Sequence, residues 1–227
     1  NLGKNQIADI TPLSGLTNLR KLDLGFGQSL GQGDEVNLYQ TGTNLFTDIT
    51  PLAGLVNLEY LSLMGVDGLT SIAPMSTMDS LSELWLASNP LTDFSPLLDA
   101  ADTLEMLTLV QTGVHNADIP IINTMIHLQW LAFIAESNLT DISGLAAIRP
   151  AALFCVMLTP VTDISVLEHF TTLQQLIISG TYAAALPNLS GLTSLQTAFL
   201  PGNALTDISG LENAASIQIL SLDRNNI

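Results

Sequence analysis

The sequence predicts a solenoid of α/β type, with short parallel β-strands stacked coil upon coil on one face and turn segments on the opposite, convex face. Two observations predict it. A seven-residue phrase recurs along the chain, with Ile72 to Phe94 and Ile142 to Ile164 each spanning 22 residues. Between its copies lies L-x-x-L-x-L-x-x-N, which alternates at period two and therefore reads as a short strand with one buried face. Neither a five-residue strand nor a Pro-punctuated turn can bury its apolar side alone, so successive coils must share one continuous core.

Taken in order, the phrase appears as IADITPL from Ile7, FTDITPL from Phe46, LTSIAPM from Leu69 and LTDFSPL from Leu91. It returns as LTDISGL from Leu139, VTDISVL from Val161 and LTDISGL from Leu205. Its Leu and Ile positions point inward. Its Asp and Ser are placed to hydrogen-bond backbone amides of the turn, which have no ladder partner. Asp9, Asp48, Asp93, Asp141, Asp163 and Asp207 are therefore expected to fix turns. One acid per coil is too few for the oxygen shell of a calcium site.

The strand pattern is clear at Leu19-Leu22-Leu24, Leu58-Leu61-Leu63, Leu81-Leu84-Leu86-Asn89, Leu104-Leu107-Leu109-Thr112 and Leu220-Leu222-Asn225. Weaker copies are Leu128-Leu131-Phe133, Ala151-Phe154-Val156, Leu173-Leu176-Ile178 and Leu195-Ala198-Leu200. Asn5, Asn44, Asn89, Asn203 and Asn225 end strand patterns and can satisfy backbone groups between coils, with Thr112, Thr159 and Thr181 replacing them elsewhere. From Ile10 to Ile49 the spacing is 39 residues, and Val36, Tyr39, Thr41 and Asn44 keep strand spacing, so a shortened, irregular coil is expected over 25–44. A longer coil is expected between Phe94 and Ile119, and a displaced phrase in TYAAALPNLSGL from Thr181.

Period, phase and phrase together resemble the leucine-rich repeat family, and the 22-residue unit with L-T-D-I-S-x-L is similar to the internalin-like class of bacterial surface proteins. The resemblance implies a leucine-rich-repeat solenoid, or horseshoe, with a parallel sheet on its concave face and 3₁₀ or turn segments on its convex face. It also implies protein recognition as the function. Residues 1–227 then form one array of about nine to ten coils, with a sheet about 45 Å long. The chain starts and stops between strand and phrase, so an excerpt lacking both caps is expected.

If the strand leucines face the core, the residues between them face the concave side. That side is expected to present an exposed apolar and aromatic stripe for a partner, formed by Tyr60, Met64, Trp85, Met106, Val110, Trp130, Ile134, Leu153, Met157, Ile177 and Phe199. A one-residue slip, above all in the copy at Ala151, would exchange the faces.

Five Lys+Arg against 21 Asp+Glu leave a net charge of -16, which repels nucleic acid and anionic lipid and favours a basic protein ligand. No apolar run reaches the length of a bilayer span. The lone Cys155 excludes a disulfide framework, and NLT at Asn138 and NLS at Asn188 fall within the recurring phrase. His115, His127 and His169 lie in different coils without ligand spacing, and no nucleophile elbow or zinc motif occurs. GFGQSLGQG from Gly25 misplaces the third glycine of a dinucleotide loop. No catalytic, cofactor or metal site is expected. The expected role is a non-enzymatic, extracellular or surface recognition module. A spacer array, or a cytoplasmic regulatory subunit, stays open as an alternative.

Overall fold

The computed structural model describes residues 1–25, 44–66 and 68–227. Among the described residues nine strands form one parallel sheet: β1 (Lys21–Asp23), β2 (Tyr60–Met64), β3 (Glu83–Ala87), β4 (Met106–Val110), β5 (Trp130–Ile134), β6 (Leu153–Met157), β7 (Gln175–Ser179), β8 (Thr197–Phe199) and β9 (Ile219–Ser221). Their spatial order is their chain order. Each strand returns through a turn on the far side, so the leucine-rich repeat solenoid expected from the sequence is the fold.

The register is unbroken. Leu61, Leu84, Leu107, Leu131, Phe154 and Leu176 stand opposite one another on successive strands. The weak copy at Ala151 has not slipped, because Phe154 and Val156 are fully buried in the same core as the leucines. Phe154 packs edge-on against Phe170, with ring centroids 4.9 Å apart.

Opposite the sheet, 3₁₀ turns occupy Thr11–Leu13, Thr50–Leu52, Ala73–Thr77, Ser95–Leu98, Ser143–Leu145, Ser165–His169 and Ser209–Leu211. The recurring phrase explains them. The carboxylates of Asp9, Asp48, Asp93, Asp141, Asp163 and Asp207 each accept the backbone N–H two residues on, at 2.8–2.9 Å. That N–H opens the turn and has no partner within it. In four turns a proline follows, where its fixed φ suits the helical start and its missing N–H costs nothing. The long coil before β5 differs: Asn116–Asp118 leads into a helical turn, α1 (Ile119–Ile122), which takes up its extra residues.

After each of β2 to β9 the chain passes through one left-handed residue: Gly65, Ser88, Gln111, Ala135, Leu158, Gly180, Gly202 and Arg224. This bends the backbone off the sheet and delivers the next residue into a buried ladder. In that ladder the Asn203 amide donates to the carbonyls of Ile178 and Leu200, while its oxygen accepts from Thr181. Asn225 repeats the pattern one coil later, donating to Leu200 and Leu222.

The ladder is met again at Asn44. Asn44 donates to the carbonyls of Leu2 and Leu24 and accepts from the Ile7 N–H, the same bonds that Asn225 makes. It therefore fills the ladder position of β1's own coil, and β1 pairs directly with β2. The intervening residues, including Val36, Tyr39 and Thr41, lie outside the described residues. The irregular coil expected over 25–44 thus falls on residues outside the described ones, apart from Gly25 and Asn44 at its ends.

Candidate functional site

Parallel register turns the concave side into rows. Glu83, Met106, Trp130, Leu153 and Gln175 share one row, and Trp85, Thr108, Ala132, Cys155 and Ile177 the next. Ala87, Val110, Ile134 and Met157 form a third, which Met64 extends on β2. These side chains alternate with the core leucines and form a second apolar cluster, separate from the core. Its centre is a pocket of about 240 Å³ lined by Met64, Trp85, Val110, Trp130, Leu153 and Met157, with Thr108, Ala132, Ile134, Cys155 and Ile177.

The structure brings ten of the eleven candidate residues into this cluster, and Phe199 stands apart on β8. It corrects their expected exposure. Met64, Trp85, Val110, Ile134 and Leu153 are 1–9% exposed, Tyr60, Met106, Trp130, Met157 and Ile177 half-buried, and Phe199 alone is exposed, at 39%. Period-two alternation says which face a side chain takes, but not how far neighbours on adjacent strands cover it. Here bulky residues one strand apart shield one another, as the Trp85 and Trp130 rings do at a centroid separation of 6.3 Å.

The cluster is apolar but incompletely satisfied. The indole nitrogens of Trp85 and Trp130 and the Thr108 hydroxyl are buried without a hydrogen-bond partner. Each such group costs about 1–3 kcal/mol. Burial pushes the Cys155 thiol up to about 12, so it remains protonated and unreactive. Burial, reinforced by the Asp23 carboxylate, also raises the Tyr60 phenol.

A residue missed by the sequence reading stands at the edge of this face. Glu136 occupies the ladder position after β5, 1% exposed. Its carboxylate accepts from the Thr112 N–H and hydroxyl, both at 2.8 Å, and from the Gly113 N–H at 3.0 Å. The sequence signal available was its place two residues beyond the strand, where other coils carry Asn or Thr.

Burial raises the Glu136 carboxyl above its ordinary 4.5 despite these hydrogen bonds. Five of the turn aspartates, Asp9, Asp48, Asp93, Asp141 and Asp207, move the other way, below 3.8. The side chain two residues on is the main cause at Asp9, Asp48, Asp93 and Asp207, and the Ser143 N–H is at Asp141. The signs follow. Depressed aspartates lend stability above their unfolded value that is lost as pH falls, whereas Glu136 lends stability below 4.5 that is lost as pH rises through its folded value. The thermal midpoint is therefore expected to peak on the acid side of neutrality, above the range where the aspartates take up protons and below that where Glu136 ionises, with a gentler alkaline decline in Glu136→Gln. Calorimetry from acid to neutral pH checks this, and a maximum above neutrality would contradict it.

Of the histidines, His115 pairs with Asp118 at the start of a turn, its backbone N–H also donating to that carboxylate at 3.0 Å. Among the described residues no three His, Cys, Asp or Glu side chains converge as metal ligands. No helix there is long and apolar enough to cross a membrane.

No protein-family model matches the chain, and no curated protein sequence matches it. Solved structures do. An internalin from Listeria monocytogenes is 26% identical with a TM-score of 0.77, the match covering 97% of this chain and 59% of the internalin. An internalin C2 of the same organism is 22% identical with a TM-score of 0.63, over 96% of this chain and 77% of the other. The plant peptide hormone receptor RGFR1, solved in complex with RGF2, is 18% identical with a TM-score of 0.67, over 96% of this chain and 34% of the receptor. The chain thus spans 59% of the first internalin's length. With the 22-residue phrase, the ladder and the nine-stranded parallel sheet, these likenesses show a leucine-rich repeat solenoid fold similar to that of the internalins.

Proposed function

We propose that the chain is a non-catalytic recognition module that binds a protein partner through its concave face, as part of a bacterial surface or secreted protein. One observation carries the reading: the pocket that gathers both tryptophans of the chain and leaves their indole N–H groups unpartnered. A monomer gains nothing by burying donors without acceptors. A ligand that offers carbonyl oxygens to these donors and an apolar side chain to the pocket relieves that cost on binding. The rigid sheet means that little side-chain entropy is lost in the process. The likeness to internalins supports the bacterial setting, and the complexed plant receptor supports a peptide-like ligand on this architecture.

The test is selection of binders from a displayed library of small domains, followed by measurement on the Trp85→Ala, Met106→Ala, Trp130→Ala triple variant. Affinity is expected to fall at least tenfold, by loss of anchors each contributing about 1.5–3 kcal/mol. Undiminished binding to a variant shown to be folded would sink the proposal.

A further inference from the structure

The concave face is divided by charge. Over β1 to β4 it carries Lys21, Asp23 and Glu83, with Glu105 immediately before β4 and Arg20 paired to Glu59 at the sheet's leading edge. From β5 through β8 its rows hold no ionisable side chain except the buried, protonated Cys155. Instead, glutamines line the edge: Gln129 before β5, Gln174 and Gln175 at β7, Gln196 before β8 and Gln218 before β9. All five are exposed. Gln174, Gln196 and Gln218 follow one another coil by coil, each backbone carbonyl accepting the next glutamine's N–H at 2.8–2.9 Å. Their side-chain amides bond to nothing else among the described residues.

A primary amide offers N–H donors and a carbonyl acceptor, the same kinds of group that each residue of an extended main chain presents. A column of such amides flanking an apolar pocket is suited to hold a backbone while the pocket takes a side chain. The acids then sit to one side. The pocket centres on β5, and Glu83 and Glu105 lie two and one strands away. At about 4.8 Å per strand and about 3.3 Å per extended residue, that distance is about one and a half to three peptide positions.

Resting on the recognition reading above, we infer that the occupant is an extended peptide segment of a partner protein, lying across the strands from β3 to β8. An apolar residue anchors in the pocket. A Lys or Arg two or three positions away faces Glu83 and Glu105, and an uncharged stretch follows along the glutamines. Charge complementarity selects this occupant. The acidic end attracts the basic residue, whereas the neutral end would leave any buried ion unpaired.

The test uses capped synthetic peptides with a single Phe in a Ser/Gly background. Lys, Ala or Glu is placed three positions from the Phe on either side, and binding is read by the fluorescence of the two tryptophans. In one of the two orders the Lys peptide is expected to bind about fivefold tighter than Ala, and Glu weaker than both. In Glu83→Gln, Glu105→Gln the preference should vanish while the Phe-dependent signal persists. Gln174→Ala, Gln196→Ala should weaken all peptides by similar factors. Equal binding of Lys and Glu peptides, or a preference that survives the double Gln variant, overturns the inference. If no peptide binds while selected domains still depend on the tryptophans, this inference falls and the recognition reading stands. If those domains ignore the tryptophans, both fall.

Discussion

Replacing Glu136 by leucine is expected to destabilise the protein by at least about 3 kcal/mol, with the loss centred on the turn after β4. The carboxylate serves three donors there: the Thr112 N–H, the Thr112 hydroxyl and the Gly113 N–H. Leucine fills similar volume and keeps water out, so all three are left dry at about 1–3 kcal/mol each. Glu136→Gln keeps one acceptor oxygen and should lose only about 1–2 kcal/mol. Urea unfolding gives the magnitudes, and amide exchange at Thr112 and Gly113 gives the location. If leucine and glutamine proved equally mild, the ladder would not depend on this carboxylate.

The second large effect is expected at Phe154→Ala, about 3–5 kcal/mol. Phe154 is fully buried and meets Phe170 edge to face at 68°. Truncation removes the burial of a phenyl ring, opens a cavity between β6 and the turn that follows it, and forfeits a ring contact of about 0.5–1.5 kcal/mol. Phe154→Leu should cost far less, because the γ-branched side chain fills most of the space. A loss below about 1 kcal/mol for alanine would mean that the coil collapses freely around the gap.

The two substitutions differ in how visible their targets are in the sequence. Phe154 stands where the strand pattern places a core residue, and period-two alternation identifies it even though the rest of its copy is degenerate. Glu136 breaks the pattern it belongs to. An acidic residue in a column of Asn and Thr reads as a surface residue, and only its three donors on the preceding coil show otherwise. Asn44 is the converse case. Its place in the ladder of β1's coil shows only in its bonds to Leu2 and Leu24. The concave residues were placed on the right face, because facing is a property of one strand. Their burial was not legible, because it depends on which bulky side chains stand one coil away.

Strand order equal to chain order means that the sheet bonds between coils run only to the coil before or the coil after. The array therefore behaves as links in series. A lesion such as Phe154→Ala does not merely lower an average; it lets the array part at β6 into two shorter stacks, each able to hold or fray separately. A ligand lying across the strands from β3 to β8 would bridge that joint from outside. Occupancy would then be felt mechanically, as a splint that returns to a damaged array the cooperativity it had lost.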